Sequence, residues 1–334
     1  MRNQTIYFKN NDVGILETAT IAGPKEGEGP LGRYFHNVLK DDLLKQKSYE
    51  KAETKIHISV IKNILNKTKL TPRDIDCVFA GDILDEMIVS SFAMREFDIP
   101  FIGVYNACAS FGEALINASC MLDSGYMNRV ICSTSSHFST AERQYRFPLE
   151  LGNQRTPLSQ WTVTGAGCTL LEKNKNLPVK ITCATIGKVV DFGVRDVNDM
   201  GAAMTPAAMD TLITHFENTK RKPDYYDMIL TGDLGDAASR LLKKLIKRQG
   251  YDLDENYNDC GVLIYNREAQ QVGQGGSGTA CSNLVFNAYI YDKMLQGDLK
   301  RVLLVPTGAL ISKTSTLQGE TMPGIAHAIC LEAV

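Results

Sequence analysis

The sequence predicts an α/β protein built twice over, with strands alternating with helices in each half and the two halves packed face to face. Three observations carry this. An apolar run ending in Gly-Asp occurs once in each half, and a small-residue helical stretch opened by a cysteine follows each run. A chain of 334 residues is also long enough for two lobes with buried cores.

The first run is Asp74-Ile-Asp-Cys-Val-Phe-Ala-Gly-Asp82 and the second is Tyr225-Tyr-Asp-Met-Ile-Leu-Thr-Gly-Asp233. Each follows a proline turn, at Thr71-Pro72 and Lys222-Pro223, and each reads as a buried strand that stops at glycine. Asn106-Ala-Cys108-Ala-Ser110 then opens a helix expected to end at Gly125, and Thr279-Ala-Cys281-Ser-Asn283 opens another running to Gly297. Strands beginning at Arg129 and Arg301 come next, and each half closes on an apolar strand with a Leu-Glu pair, Leu171-Glu172 and Leu331-Glu332. Such alternation gives a mainly parallel sheet covered by helices. The polar stretch Lys173-Asn-Lys-Asn-Leu-Pro178 marks the boundary, dividing the chain into residues 1–175 and 176–334. Gly81 and Gly232 are 151 apart whereas Cys108 and Cys281 are 173 apart, so the second half holds about 22 extra residues. Residues 253–271 are the expected place for them.

The formal net charge of -2 excludes both a basic nucleic-acid footprint and an acidic disordered tail. No apolar run approaches the roughly 20 residues of a bilayer span. Residues 1–11 lack the apolar core of a signal peptide. A cytosol-like compartment is expected, with any membrane association made through a partner. The nine cysteines include no CxxC pair, so neither a zinc site nor a disulfide framework is indicated. Cys77, Cys120, Cys132, Cys168, Cys183 and Cys330 sit in apolar strings and read as small buried hydrophobes.

Cys108 differs because a strand precedes it and a helix follows. A cysteine at a helix N-terminus faces unpaired N–H groups and the positive end of the dipole. Both favour thiolate, so a lowered pKa and a pocket role are expected. A buried structural thiol is the alternative. Cys281 holds the corresponding place after Gln274-Gly-Gly-Ser-Gly278, and pseudo-symmetric packing would bring both elbows to one cavity.

At these residues the sequence resembles the thiolase superfamily, in particular its ketoacyl synthase III-like branch. The resemblance implies a thiolase-like fold of duplicated αβαβα layers, a cysteine nucleophile at the first elbow, and a histidine and an asparagine or second histidine from the second half. Those two hold the thioester carbonyl and assist catalysis. Here the histidine falls on Gly232, which has no side chain. The asparagine falls within Gly275-Gly-Ser-Gly-Thr279, nearest to Ser277. Asn258 is another asparagine, but it is expected in the extra segment. Loss of one oxyanion donor typically costs about 100- to 1000-fold in rate, so no enzyme activity is expected.

Ala22-Gly-Pro-Lys-Glu-Gly-Glu-Gly-Pro-Leu-Gly32, Ala80-Gly-Asp-Ile-Leu84, Thr134-Ser-Ser-His137 with Thr140-Ala-Glu-Arg143, Asp199-Met-Gly-Ala-Ala-Met-Thr-Pro-Ala-Ala208 and Gly275-Gly-Ser-Gly-Thr-Ala-Cys281 narrow the match. Together they resemble the stage V sporulation protein AD family over essentially the whole chain. That resemblance implies binding of dipicolinic acid, with or without its calcium, for uptake into the forming spore. It also implies membrane proteins of the same operon as partners and a peripheral place at the forespore inner membrane. No protein-bound cofactor or metal is expected, and a homodimer stays open. Dipicolinate is a flat dianion whose carboxylates suit helix N-termini and forked arginines. Ser277, Cys108, Cys281 and His137 are therefore candidate ligands, with Arg143 and Arg146 as candidate cations. An acyltransferase using Cys108 and a structural subunit with a vestigial pocket are the competing possibilities.

Overall fold

The computed structural model describes residues 4–9, 12–145 and 155–334. The first half contributes β1 (Val13–Ala22), β2 (Cys77–Gly81), β3 (Phe101–Gly103), β4 (Arg129–Ser136) and β5 (Gly165–Lys173). The second contributes β6 (Val179–Thr185), β7 (Met228–Thr231), β8 (Tyr257–Asp259), β9 (Arg301–Val305) and β10 (Ala328–Ala333). Their spatial order is β1-β5-β4-β2-β3 in the first half and β6-β10-β9-β7-β8 in the second. The path is the same in both halves. The pairings make four strands of each five run one way, with β5 and β10 reversed. Gly14 opposite Lys180 joins β1 to β6.

The duplication extends to individual hydrogen bonds. The Asp76 carboxylate accepts from the backbone N–H groups of Asn128 and Arg129, at 2.6 and 2.9 Å. In the second half Asp227 accepts from Lys300 and Arg301, both at 2.8 Å. Each aspartate precedes one parallel strand and pins the start of its neighbour, so both sheets are held in register by the same device.

The helices that place the site are α1 (Tyr49–Thr68), α2 (Ser110–Asp123), α3 (Phe138–Tyr145), α4 (Met200–Thr219), α5 (Asp236–Arg248) and α6 (Thr279–Leu284). α6 continues through a π-helical stretch, Val285–Ile290, into Tyr291–Leu295. Gly125 and Gly297 follow these helices with φ of +80° each, a conformation glycine adopts without strain.

Alternate residues of each strand face different layers. Cys77 and Phe79 point into a central core with Phe111, Leu115, Leu284 and Phe286, whereas Val78 and Ala80 face Ile56 and Val60 of α1. Val302 and Leu304 join that central core, while Leu303 and Val305 face Leu212 of α4 and Leu242 of α5. The layers thus run helix, sheet, helix, sheet, helix, with α2 and α6 in the middle.

The extra residues of the second half are split. Gly232 to Tyr257 is five residues longer than Gly81 to Phe101, and the remainder follows β8, around the short helix Cys260–Ile264. Asn258 therefore lies on a regular strand of the duplicated unit and not, as expected, in an insertion. Its side chain accepts from the neighbouring Asp259 N–H at 2.8 Å.

Candidate functional site

The turn between β3 and α2 builds the elbow. Ala107 holds φ at +48°, a left-handed conformation that a residue with a Cβ adopts at a cost. The strand Thr307–Ala309 presses on this turn: a Cβ at Gly308 would lie 2.4 Å from the Asn106 carbonyl oxygen. Cys108 is 8% exposed. α2 starts two residues later, at Ser110, with Ala109 at its cap position.

The group that dominates this elbow comes from the second half. Asp233 follows β7 and is buried. Its Oδ2 accepts from the Ser277 hydroxyl at 2.9 Å and the Gly278 N–H at 3.2 Å, and its Oδ1 accepts from the Thr307 hydroxyl at 2.8 Å. Cys108 Sγ lies 3.8 Å from Ser277 Oγ, whose hydroxyl donates to Asp233, so the thiol sits close to that carboxylate. Burial pushes the Cys108 thiol well up, and the charge of Asp233 pushes it further. Burial also raises Asp233, to about 6, against the opposing effect of the Thr307 hydrogen bond. The expected activated thiolate is thus overturned. The helix dipole is outweighed by desolvation and a nearby carboxylate.

Other expectations change as well. Measured from the helix starts, Ser277 stands two residues before α6 as Cys108 stands two before α2. Ser277, not Cys281, is the second-half residue that reaches the Cys108 thiol. Cys281 is buried in the first turn of α6, its Sγ 3.5 Å from the Gly232 carbonyl oxygen. His137 is fully buried and both ring nitrogens are taken, Nε2 by the Asp42 carbonyl at 2.9 Å and Nδ1 by the Ser139 N–H at 3.1 Å. Burial lowers its pKa, and it ties down the start of α3 where a ligand contact was expected. Arg143 makes a surface ion pair with Glu50 at 2.7 Å, its side chain 58% exposed. Arg146 lies outside the described residues.

Sequence reasoning missed three features. Asp233 was visible as half of a repeated Gly-Asp pair, yet only the preceding glycine was matched to the family's histidine. His327 is buried against the elbow, its Nε2 3.3 Å from the Asn106 amide nitrogen, and burial lowers it to about 4. Nothing local in the sequence distinguishes it. The third feature is a cleft of about 470 Å³ lined by Asp85, Met87, Tyr105, Leu310, Ile311, Ser312 and Ser315. It lies between the halves, with Tyr105 three residues before Cys108. The Tyr105 hydroxyl is 3.4 Å from that of Tyr145, which donates to the Ile83 carbonyl.

Comparison with known proteins agrees with this architecture. The family model described as Stage V sporulation protein AD (SpoVAD) matches residues 2–332. The Stage V sporulation protein AD of Bacillus subtilis is 41% identical over 329 residues, which cover 98% of this chain and 96% of that protein. Among solved structures, OleA of Xanthomonas campestris is similar at a TM-score of 0.63 and 13% identity, covering 98% of this chain and 99% of that one. The 3-oxoacyl-[acyl-carrier-protein] synthase III of Aquifex aeolicus is similar at a TM-score of 0.55 and 11% identity, covering 96% and 99%. These likenesses establish the thiolase-like fold, and the match along the whole sequence establishes that the chain belongs to the stage V sporulation protein AD family.

Proposed function

We propose that the chain serves sporulation as a non-catalytic thiolase-fold protein that binds dipicolinic acid and supports its uptake, with calcium, into the developing spore. The observation that carries the non-catalytic part is Asp233. An acyl-transfer site needs a nucleophilic thiolate and free donors aimed at a developing oxyanion. Here Cys108 is held as a thiol, and the hydroxyls of Ser277 and Thr307 and the N–H of Gly278 already point at a carboxylate. An oxyanion placed among them would meet a like charge.

The cleft supports the binding part. Tyr105, Met87, Leu310 and Ile311 offer faces for a flat ring, and Ser312 and Ser315 offer hydroxyls to carboxylates. Asp85 disfavours a bare dianion there and favours the calcium chelate, in which charge is compensated. Work at the forespore inner membrane would run through membrane proteins of the same operon, since no helix among the described residues is long and apolar enough to cross a bilayer. Two copies, if they pair, have the open edge of β3 available, where Ile102 is exposed.

Calorimetric titration with dipicolinate, with and without calcium, tests this. Saturable binding is expected, weakened about tenfold or more by Tyr105→Ala, a loss of about 1.4 kcal/mol. Arg143→Ala should bind like the parent, because its guanidinium is committed to Glu50 at the surface. Incubation with acetyl-CoA or malonyl-CoA should leave Cys108 unacylated by intact-mass measurement. Turnover on the order of 1 per second, or a Tyr105→Ala variant that binds unchanged, would overturn the proposal.

A further inference from the structure

A second thiol site lies away from the elbow, on the face of the second sheet that α4 covers. Cys183 of β6 and Cys330 of β10 are register partners on adjacent antiparallel strands, and both are fully buried. Glu332, two residues on, pairs with Arg301 at the start of β9, whereas Asp233 and Thr307 lie beyond the other end of the sheet. Arg221, just after α4, reaches into this spot. Its Nη1 is 3.0 Å from Cys330 Sγ and 3.8 Å from Cys183 Sγ, and its Nη2 is 3.2 Å from Glu332 Oε1. The guanidinium also stacks on Tyr225, 4.3 Å from the ring centre, and Tyr225 donates to Glu332 at 3.2 Å. Arginine is thus locked in place over one sulfur of a sulfur pair.

A fixed guanidinium at hydrogen-bond range stabilises thiolate over thiol. The nine cysteines divide accordingly. Burial or a neighbouring thiol raises Cys77, Cys108, Cys120, Cys132, Cys168, Cys183, Cys260 and Cys281. Cys330 alone is lowered, by its pairing with Cys183 first and by Arg221 in addition, against the opposing effects of burial and of the Glu332 carboxylate, which accepts from the Cys330 thiol at 3.6 Å. Neighbours on antiparallel strands have Cα atoms about 4.5–5.5 Å apart, inside the roughly 4.4–6.8 Å that a disulfide spans. The two backbones are therefore within reach of a disulfide, beside the register shift that follows Cys330. Arg221 covers the pair with its side chain 22% exposed, and Tyr7, the register partner of Cys183 on its other side, is 46% exposed.

We propose that Cys183 and Cys330 form an oxidant-responsive dithiol, in which Arg221 activates Cys330 toward a hydroperoxide and Cys183 resolves the product to a disulfide. The Cys330 thiolate attacks one peroxide oxygen. An S–O bond forms, the O–O bond breaks, and hydroxide (or alkoxide, from an organic hydroperoxide) leaves to take up a proton. Cys183 then attacks the sulfenic sulfur. The S–S bond forms, the S–O bond breaks, and the departing oxygen takes the Cys183 proton to leave as water. Both sulfurs are oxidised by one equivalent, and peroxide is reduced by two electrons.

The full-length protein treated with hydrogen peroxide, blocked with iodoacetamide and digested with trypsin provides the test. Trypsin places Cys183 and Cys330 in separate peptides, residues 181–188 and 314–334, each with a single cysteine. A linked pair of these peptides should appear while Cys108 and Cys168 stay reduced and the protein stays folded by circular dichroism. Cys183→Ser should instead accumulate a dimedone-trappable sulfenic acid on Cys330. Arg221→Met should slow oxidation about tenfold or more. Arg221→Lys, which keeps a positive charge, should fall between, and it decides the matter if the methionine variant fails to fold. Oxidation of another cysteine before Cys330, linkage only after unfolding, or unchanged rates in the folded Arg221 variants would overturn the proposal.

Discussion

At Asp233 one carboxylate collects three donors from two separate stretches of chain and faces a thiol from a third. Removing its charge should do two things. Asp233→Asn forces an amide N–H toward donors that now lack an acceptor, which should cost about 1–3 kcal/mol in urea unfolding. It should also let the Cys108 thiol ionise more easily. One pKa unit is a factor of ten in thiolate, so alkylation of Cys108 by iodoacetamide, followed by peptide mass spectrometry, should speed up about tenfold. A variant alkylated no faster than the parent would show that burial alone sets the thiol. Two Gly-Asp pairs were legible in the sequence, but their fates differ. Asp82 turns onto its own loop, accepting from Leu84 N–H at 3.1 Å and from Ser90 at 2.7 and 2.6 Å. Asp233 turns toward the elbow of the other half. Identical local strings carry no record of which partner arrives from far along the chain, and so the sign of the pKa change at Cys108 was not readable.

Among the elements, α2 and α6 determine how close the two sheets come. The first turns of α6 lie on β4 and β5, where Asn283 Nδ2 donates to Thr134 Oγ1 at 2.7 Å and to the Gly167 carbonyl at 3.0 Å. Gly167 faces this side chain so closely that a Cβ there would sit 1.8 Å from Asn283 Oδ1. Gly167→Ala should therefore break a buried amide network and overpack the interface, costing about 1–3 kcal/mol in urea unfolding. An alanine variant as stable as the parent would mean that Asn283 has room to turn away. The helices and strands themselves were legible: short continuous apolar runs marked β2, β7 and β9, and glycines marked the ends of the central helices. That Ser277 rather than Cys281 meets the Cys108 thiol was not. Two cysteines in similar strings suggested that both thiols face one cavity, and only the folded chain shows which residue of the second elbow reaches Cys108.

Across the molecule, the halves are joined by buried polar groups as well as by the central core. Glu26 of the first half is buried; its Oε1 accepts from the Thr164 N–H at 2.9 Å and from the hydroxyl of Tyr265 of the second half. Burial raises it to about 7, above the opposing effects of those hydrogen bonds. The folded chain thus keeps a proton that the unfolded chain releases near 4.5. Stability from this group is present at low pH and is lost as pH rises through 7. Glu26→Gln, which mimics the protonated acid, should lack this dependence. The variant should gain on the parent by about 2–4 kcal/mol between pH 5 and pH 8, measured by urea unfolding at both values. A constant difference across that range would show that Glu26 is ionised in the folded protein. The sequence by itself determined the duplication, the strand and helix order, the αβαβα class through its resemblance, and the family. All of these depend on periodicity, turn chemistry and strings within a few residues of each other. Only the tertiary structure decided that Cys108 meets a carboxylate, that His137 and Arg143 serve structure and surface, and that Cys330 lies under an arginine. Charge state and reactivity depend on desolvation and on partners roughly ninety or more residues away, and both come into being only when the chain folds and, at Cys108, when the two halves close on each other.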